Sequence, residues 1–296
     1  MKSIITIALV GLGAQLVDGT LGMAYGVTST TLLLTAGYAP AVASAAVHFA
    51  EVGTTLASGA AHWRFGNVNW LVVRNIGIPG AVGAFLGATL LSSLSTESAA
   101  PWMAGILMAL GVYLLLRFAT KVPTWKHEAP PGKRFLTPLG LFAGFVDATG
   151  GGGWGPIATP TLIGSGRMTP RRVIGTVDTS EFLVAVAASA GFLIGIGGEA
   201  IPWQAVLGLL AGGLVAAPIA AYLVRHLPTR LLGVAVGGII ILTNLRTLLN
   251  AFEVGNDPRP SIYLTVGAVW LVFLGLALQG MRNDRQAERR ETGVAA

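Results

Sequence analysis

The sequence predicts an all-α integral membrane protein built from two inverted repeats. Each repeat is a re-entrant helical hairpin plus three transmembrane helices, and one extra C-terminal transmembrane helix follows. Three observations predict this class. The 296-residue chain is 53% hydrophobic and only 11% charged, with a mean hydropathy of +0.70, whereas soluble domains carry roughly 25% charged residues. A pattern of acids, glycines and prolines occurs twice along the chain. The basic residues gather in short loops that fall on one side once the apolar runs are counted as crossings.

The repeat is read by offset. Asp18-Gly19-Thr20-Leu21-Gly22-Met23-Ala24-Tyr25-Gly26 resembles Asp147-Ala148-Thr149-Gly150-Gly151-Gly152-Gly153-Trp154-Gly155, with aspartate, threonine, glycine and aromatic residues at equal spacing. With one extra residue, Pro40 aligns with Pro170, His48 with Asp178 and Glu51 with Glu181. The expected organisation is a first repeat over 1–120, a cytoplasmic linker over 121–134, a second repeat over 135–250, an extracellular loop and final span over 251–281, and a basic tail over 282–296.

Each repeat opens with two short apolar pieces, 3–17 and 20–36 in the first and 135–146 and 152–164 in the second. A helix needs about 20 residues to cross the hydrocarbon core, so neither piece crosses comfortably. The break between them holds an acid and glycines, which suit non-helical backbone. Such backbone is tolerated at membrane depth only where protein or a wet cavity covers it. Each pair is therefore read as a re-entrant hairpin with its tip near the midplane. A continuous ten- or eleven-span arrangement is the competing reading. Longer runs follow at 40–61, 68–92 and 100–117, then at 171–196, 202–224 and 229–249, with a last one at 262–281.

Charge tests the topology. With the C-terminus cytoplasmic and the N-terminus outside, all of the 19 Lys and Arg residues except Lys2, Arg246 and Arg259 fall inside. Three crossings per repeat then give the two repeats opposite orientation. Inverted repeats with broken helices meeting at the midplane are a transporter architecture. The expected location is the bacterial inner membrane, with the lipid bilayer as partner and a homodimer as an open option. The net charge of +6 is explained by topology and calls for no nucleic acid. The apolar N-terminus resembles a secretory leader, but no small-residue cleavage site precedes a soluble domain, so it is expected to remain in the mature chain.

Five acids lie inside apolar runs: Asp18, Glu51, Asp147, Asp178 and Glu181. A charge at bilayer depth costs several kcal/mol unless it is paired, protonated or wet. For Asp18 and Asp147 two readings stand side by side: a substrate pathway, or a carboxyl capping the broken helix. Glu51 and Glu181 sit mid-run, where no capping role explains them, and are read as coupling groups. Asp178 lies one turn from Glu181 and shares its face. His48 stands three residues before Glu51 and is read either as a proton relay or as a packed core residue.

The glycine-rich tip around Gly151, Gly152 and Gly153 resembles an anion nest, in which successive backbone N–H groups and the following helix N-terminus hold an oxyanion. Gly22 and Tyr25 occupy the matching tip. Thr30 and Thr159, with Thr28, Thr31 and Thr161, offer hydroxyls beside the tips or bond back to their own helices. Trp154 either walls the site or packs. Gly80, Gly83, Gly87, Gly208, Gly212 and Gly213 are read as packing residues. Trp63, Trp70, Trp102, Trp125, Trp203 and Trp270 are expected to anchor span ends at the interface.

The chain has no cysteine, which excludes disulfides, thiolate metal sites and cysteine nucleophiles. No metal site or cofactor is expected, and no nucleophile-elbow, zinc-protease or nucleotide-loop motif is present. An intramembrane enzyme using Asp18 and Asp147 as a facing pair remains an alternative, as does an anion channel or non-transporting scaffold.

These residues resemble a known family. Asp18-Gly19, Pro40, His48-Phe49-Ala50-Glu51-Val52, Gly66-Asn67-Val68-Asn69-Trp70, Asp147 to Pro156, Gly175-Thr176 and Glu181 are similar to the TauE/SafE sulfite exporter family across nearly the whole chain. The resemblance implies a membrane carrier of sulfite, thiosulfate or an organosulfonate. Read together with the residues, it predicts a proton-coupled secondary transporter of a small oxyanion rather than an enzyme. Asp18, Gly22, Tyr25, Thr30, Asp147, Gly151, Gly152, Gly153, Trp154 and Thr159 would bind substrate, and His48, Glu51, Asp178 and Glu181 would couple protons.

Overall fold

A computed structural model describes residues 3–21, 23–119, 129–223 and 229–291. The described residues form eleven helices and no strand. The first half holds α1 (Ile4–Leu21), α2 (Tyr25–Thr35), α3 (Pro40–Arg64), α4 (Trp70–Ser93) and α5 (Thr96–Ala119). The second holds α6 (Lys133–Gly150), α7 (Trp154–Gly164), α8 (Pro170–Ile196), α9 (Trp203–Leu223) and α10 (Thr229–Ala251), and α11 (Arg259–Glu291) closes the chain. Gly22, most of the linker (120–128, with Lys121, Trp125 and Lys126), Arg225 and residues 292–296 of the tail lie outside the described residues.

Local chemistry sets the breaks. α6 ends where Gly151 takes a left-handed φ of 70° and Gly152 a φ of 145°, conformations that glycine adopts without a Cβ penalty. Pro40 and Pro170 open α3 and α8 at the first helical positions, where a missing N–H costs nothing. The Asn69 side chain caps α4 by accepting from the Val72 N–H at 3.2 Å. α2 and α7 have 11 residues each, about 16 Å of helix, half of a bilayer core.

Among the described residues, five helices are long and apolar enough to cross a membrane: Trp70–Ser93, Thr96–Ala119, Pro170–Ile196, Arg230–Ala251 and Arg259–Asn283. The chain is an all-α, multi-pass membrane protein. α3 is long enough at 25 residues but carries His48, Glu51, His62 and Arg64, so it is less apolar than these. α11 departs from expectation. The apolar stretch ends near Asn283, yet the helix runs on to Glu291, because Arg, Gln, Ala and Glu are good helix formers once clear of the apolar segment.

The helices pair closely. α1 packs along α9, α4 along both α6 and α8, α3 along α8, and α5 along α10. Small residues make the first two contacts possible. A Cβ at Gly140, Gly144 or Gly83 would run into the backbone of the facing helix in the α4–α6 pair, and one at Gly212 would do so in the α1–α9 pair. Without water to drive helix association inside a membrane, backbone approach of this kind supplies the packing. Trp63, Trp70, Trp102 and Trp203 are exposed near helix ends. Trp270 is not an anchor of that sort. It lies half-buried in the middle of α11 and donates its indole N–H to the Val234 carbonyl at 3.0 Å.

Candidate functional site

The two helix breaks meet. A Cβ on Gly26 would approach the Gly152 Cα to 2.8 Å and Glu51 Oε1 to 3.0 Å, and one on Gly152 would collide with the backbone of Gly26 and Val27. The tip between α1 and α2 therefore touches the tip between α6 and α7, with the Glu51 carboxyl of α3 at the crossing. Thr30 of α2 adds a hydrogen bond from its hydroxyl to the Gly151 carbonyl.

The two aspartates do the same job in each tip. Asp18 Oδ1 accepts the Tyr25 N–H at 3.2 Å, and Asp147 Oδ1 accepts the Trp154 N–H at 2.9 Å. Each carboxyl thus satisfies the first amide of the short helix that follows its break. This is the capping geometry. It means that the first amide of each half-helix is already occupied. No hydrogen bond joins Asp18 to Asp147 among the described residues, and each faces its own hairpin, so no aspartyl dyad forms.

Beyond this shared role the tips differ. Asp147 is fully buried, and its Oδ2 lies 3.1 Å from His48 Nε2. His48 Nδ1 lies 2.8 Å from the Ser44 carbonyl oxygen, and the Ser44 hydroxyl donates to the Ala148 carbonyl at 2.8 Å. Three residues of the first half, Thr30, Ser44 and His48, thereby hold the second tip. Asp18 is half-buried, and its other oxygen is 3.5 Å from Gln15 Nε2.

A cavity of about 780 Å³ opens from the tips. It runs along α3 from Glu51 past Thr55 and Ser58 to His62 and Phe65, with α8 opposite through Ile174, Val177, Asp178 and Glu181. All five acids singled out in the sequence line it, together with Tyr25, Gly152, Gly153 and Thr159. Two buried polar atoms on its wall lack any partner: Glu51 Oε2, on a residue 2% exposed, and Thr159 Oγ1, on a residue 1% exposed. A buried hydroxyl or carboxyl left unpaired costs about 1–3 kcal/mol, so both are groups that a ligand or water would satisfy.

Other expected residues are placed differently. Trp154 is fully buried against Gly80 and Val184, and its indole N–H donates to the Val177 carbonyl at 3.1 Å; its ring is packing. Tyr25 ties its hydroxyl to the Leu209 carbonyl of α9 at 3.1 Å. Gly151 gives its carbonyl to Thr30 and shapes the turn. Gly22 lies outside the described residues. Gly80, Gly83, Gly87, Gly208 and Gly212 meet neighbouring helices, and Gly213 also reaches the cavity wall.

Sequence reading missed two polar neighbours. Ser58 sits 2.9 Å and 2.8 Å from the two Asp178 oxygens. Its position seven residues after Glu51 puts it on the same helix face, which is the signal that would have found it. Gln15 lies three residues before Asp18, again within one helical turn.

Comparison with known proteins agrees with this picture. The family model described as sulfite exporter TauE/SafE matches residues 7–247. A relative from Bacillus subtilis (strain 168), named "Probable membrane transporter protein YtnM", is 52% identical over 287 residues, covering 96% of each chain. No solved structure matches the chain. Transport rather than catalysis is the business of such proteins, and the enzymatic alternative is set aside on that ground. With more than two thirds of its length matched, this chain belongs to the TauE/SafE sulfite exporter family of membrane transporters.

Proposed function

We propose that the chain is a proton-coupled secondary transporter that moves a small sulfur oxyanion (sulfite, thiosulfate or an organosulfonate) across the bacterial inner membrane. The observation that carries the reading is the meeting of two broken-helix tips at one cavity lined by five acids. Counterpart helix contacts support an arrangement of two inverted repeats, which suits the same mechanism. The α4–α6 and α1–α9 contacts are counterparts under exchange of the repeats, and α3–α8 and α5–α10 are contacts between equivalent helices. In this arrangement the hairpins re-enter from opposite faces, the C-terminus is cytoplasmic and the cavity mouth at Phe65 is cytoplasmic as well.

The oxyanion binds beside Gly152, Gly153 and Thr159, where the Thr159 hydroxyl is free to donate. Acids close to an anion repel it when ionised. A neutral carboxylic acid instead donates a hydrogen bond to it. Glu51 at the tip crossing, backed by Glu181 and Asp178, therefore takes up a proton as the anion binds and releases it as the anion leaves. His48 contributes by sharing its proton with Asp147.

Purified protein in proteoliposomes tests this. Saturable flux of sulfite, thiosulfate or ethanesulfonate, accelerated by an imposed pH gradient and not matched by chloride, is the expected result. Non-saturating flux that also passes chloride would favour an anion channel.

A further inference from the structure

The cavity has a counterpart that is closed. The spacing that sets Pro40 on Pro170 and Glu51 on Glu181 also pairs Thr54, Thr55, Ser58 and His62 of α3 with Val184, Ala185, Ala188 and Phe192 of α8. The α3 set is polar and lines the cavity. The α8 set is apolar, and all four of its residues are fully buried.

The walls correspond as well. Trp70 and Trp203 open α4 and α9, and counting from them pairs Gly80 with Gly213. A Cβ on Gly213 would lie 3.1 Å from Thr54 Cγ2 and 3.4 Å from the Tyr25 hydroxyl. One on Gly80 would lie 3.0 Å from Val184 Cγ2 and 2.5 Å from the Trp154 ring. Each glycine thus faces the aromatic of its own tip and the matching residue of the long helix. What differs is the space left open. Gly213, Leu214 and Ala217 of α9 border the cavity beside α3. α4 instead packs along α8, where a Cβ on Gly191 would lie 2.8 Å from Ala88 Cβ and one on Gly195 2.4 Å from Ser92 Cβ. The Phe192 ring reaches back toward α3, 5.9 Å from the His48 ring.

Two hydroxyls in this closed region have no partner. Ser189, next to Ala188 on α8, is 5% exposed, and Ser92 of α4 faces Gly195. The Oγ of each is buried without a hydrogen bond, which is destabilising and which packing alone does not explain. Water or a passing anion satisfies both once the helices part.

We propose that this seam, where the outer half of α8 meets α4 and α3, is the passage by which the oxyanion reaches the external side, with the Phe192 ring as its gate and the Ser189 and Ser92 hydroxyls as its polar contacts. The inference rests on the transporter reading and its two inverted repeats. Parting α8 from α4 while α3 closes on α9 exchanges the roles of the repeats. Glycine, alanine and serine meet along the α4–α8 contact, so no large side chains must be unthreaded to open it.

The sidedness of thiol labelling decides it. The test needs no substrate, so its failure leaves the oxyanion reading to the flux measurement. Ala188→Cys and the nearly isosteric Ser189→Cys report the seam, and Ala61→Cys, on the open cavity wall, reports the cytoplasmic mouth. Each is made in the full chain and used where it transports. A membrane-impermeant maleimide should modify position 188 or 189 from outside in spheroplasts, and position 61 from inside in inverted vesicles. In the pair Ala61→Cys/Ala188→Cys, filling position 188 first should protect position 61 about tenfold, because holding one state depopulates the other. Adding Phe192→Ala should speed outside labelling of position 188 by a similar factor. Seam positions silent from outside in a transporting protein, or filling of 188 that leaves 61 as reactive as before, would overturn the passage. Unchanged outside labelling with Phe192→Ala would overturn the gate. Reversed sidedness of both reporters would support the passage and overturn the cytoplasmic placing of the cavity mouth.

Discussion

His48 Nε2 lies 3.1 Å from Asp147 Oδ2, across 99 residues of chain, while the other ring nitrogen lies 2.8 Å from the Ser44 carbonyl oxygen. A carbonyl oxygen only accepts, so Nδ1 carries a hydrogen. Nε2 and Asp147 then share one further proton, as imidazolium with carboxylate or as imidazole with carboxylic acid. The pair is neutral in both cases, which is what burial on both sides demands. It clamps the second tip to α3.

Removing the histidine breaks that neutrality. His48→Ala is expected to destabilise the protein by about 3–5 kcal/mol, the usual effect of stripping one partner from a buried pair. The double variant His48→Ala/Asp147→Asn should lose clearly less than the two single losses added together. Denaturation of the four proteins in detergent measures the coupling, and strict additivity would contradict the clamp.

The crossing of the tips depends on glycine at 152. Its φ is 145°, and a Cβ there would strike Gly26 and Val27. Gly152→Ala should therefore abolish transport by forcing the tips apart. Gly105→Ala in α5 is the control, because a Cβ there meets nothing within 4 Å and alanine favours helix by roughly 0.5–1 kcal/mol. Flux and melting temperature of both variants separate the two effects.

Ala24 stands where the second tip has Gly153, six residues after the aspartate in each case. It holds a φ of 150°, a costly value for a residue with a Cβ. Ala24→Gly is expected to stabilise the fold by about 1 kcal/mol through relief of strain, read as a rise in melting temperature.

Trp154 is expected to behave as a packing residue. Trp154→Phe loses the indole bond to the Val177 carbonyl, worth about 1 kcal/mol. Apparent substrate affinity should stay unchanged, since the ring lies between α4 and α8. A change in affinity at constant stability would put the ring in the binding path.

Coupling has its own signature. If a neutral Glu51 is the form that accepts the anion, apparent affinity rises as pH falls. Glu51→Gln mimics the neutral acid and should flatten that dependence while slowing gradient-driven flux. Glu181→Gln tests the matching position. Unaltered pH dependence in both variants, measured in proteoliposomes, would remove these residues from the coupling path.

Much of this arrangement was readable from residue order. The breaks after Asp18 and Asp147, the proline starts of α3 and α8, and the placing of five acids within apolar runs all follow from residue order. What was not readable depends on contacts between distant segments. Nothing local tells that His48 reaches Asp147, that Ser58 holds Asp178, or that Thr30 bonds Gly151. Trp154 was ambiguous for the same reason, because the space beside Gly80 that receives its ring belongs to α4. The capping role of both aspartates lay between these limits: the residue type allowed it, and only the fold of the turn decided it.

If substrate binds where the two tips meet, a thiol placed there reports its occupancy, and the chain has no cysteine of its own to interfere. Thr159→Cys puts a single thiol on the cavity wall at a position with an unpartnered hydroxyl. In a transport-active variant, a small charged thiol reagent should label it, and sulfite-class substrate should slow the labelling in proportion to its occupancy. Labelling that is indifferent to a substrate the variant still transports would contradict a binding site at the tips.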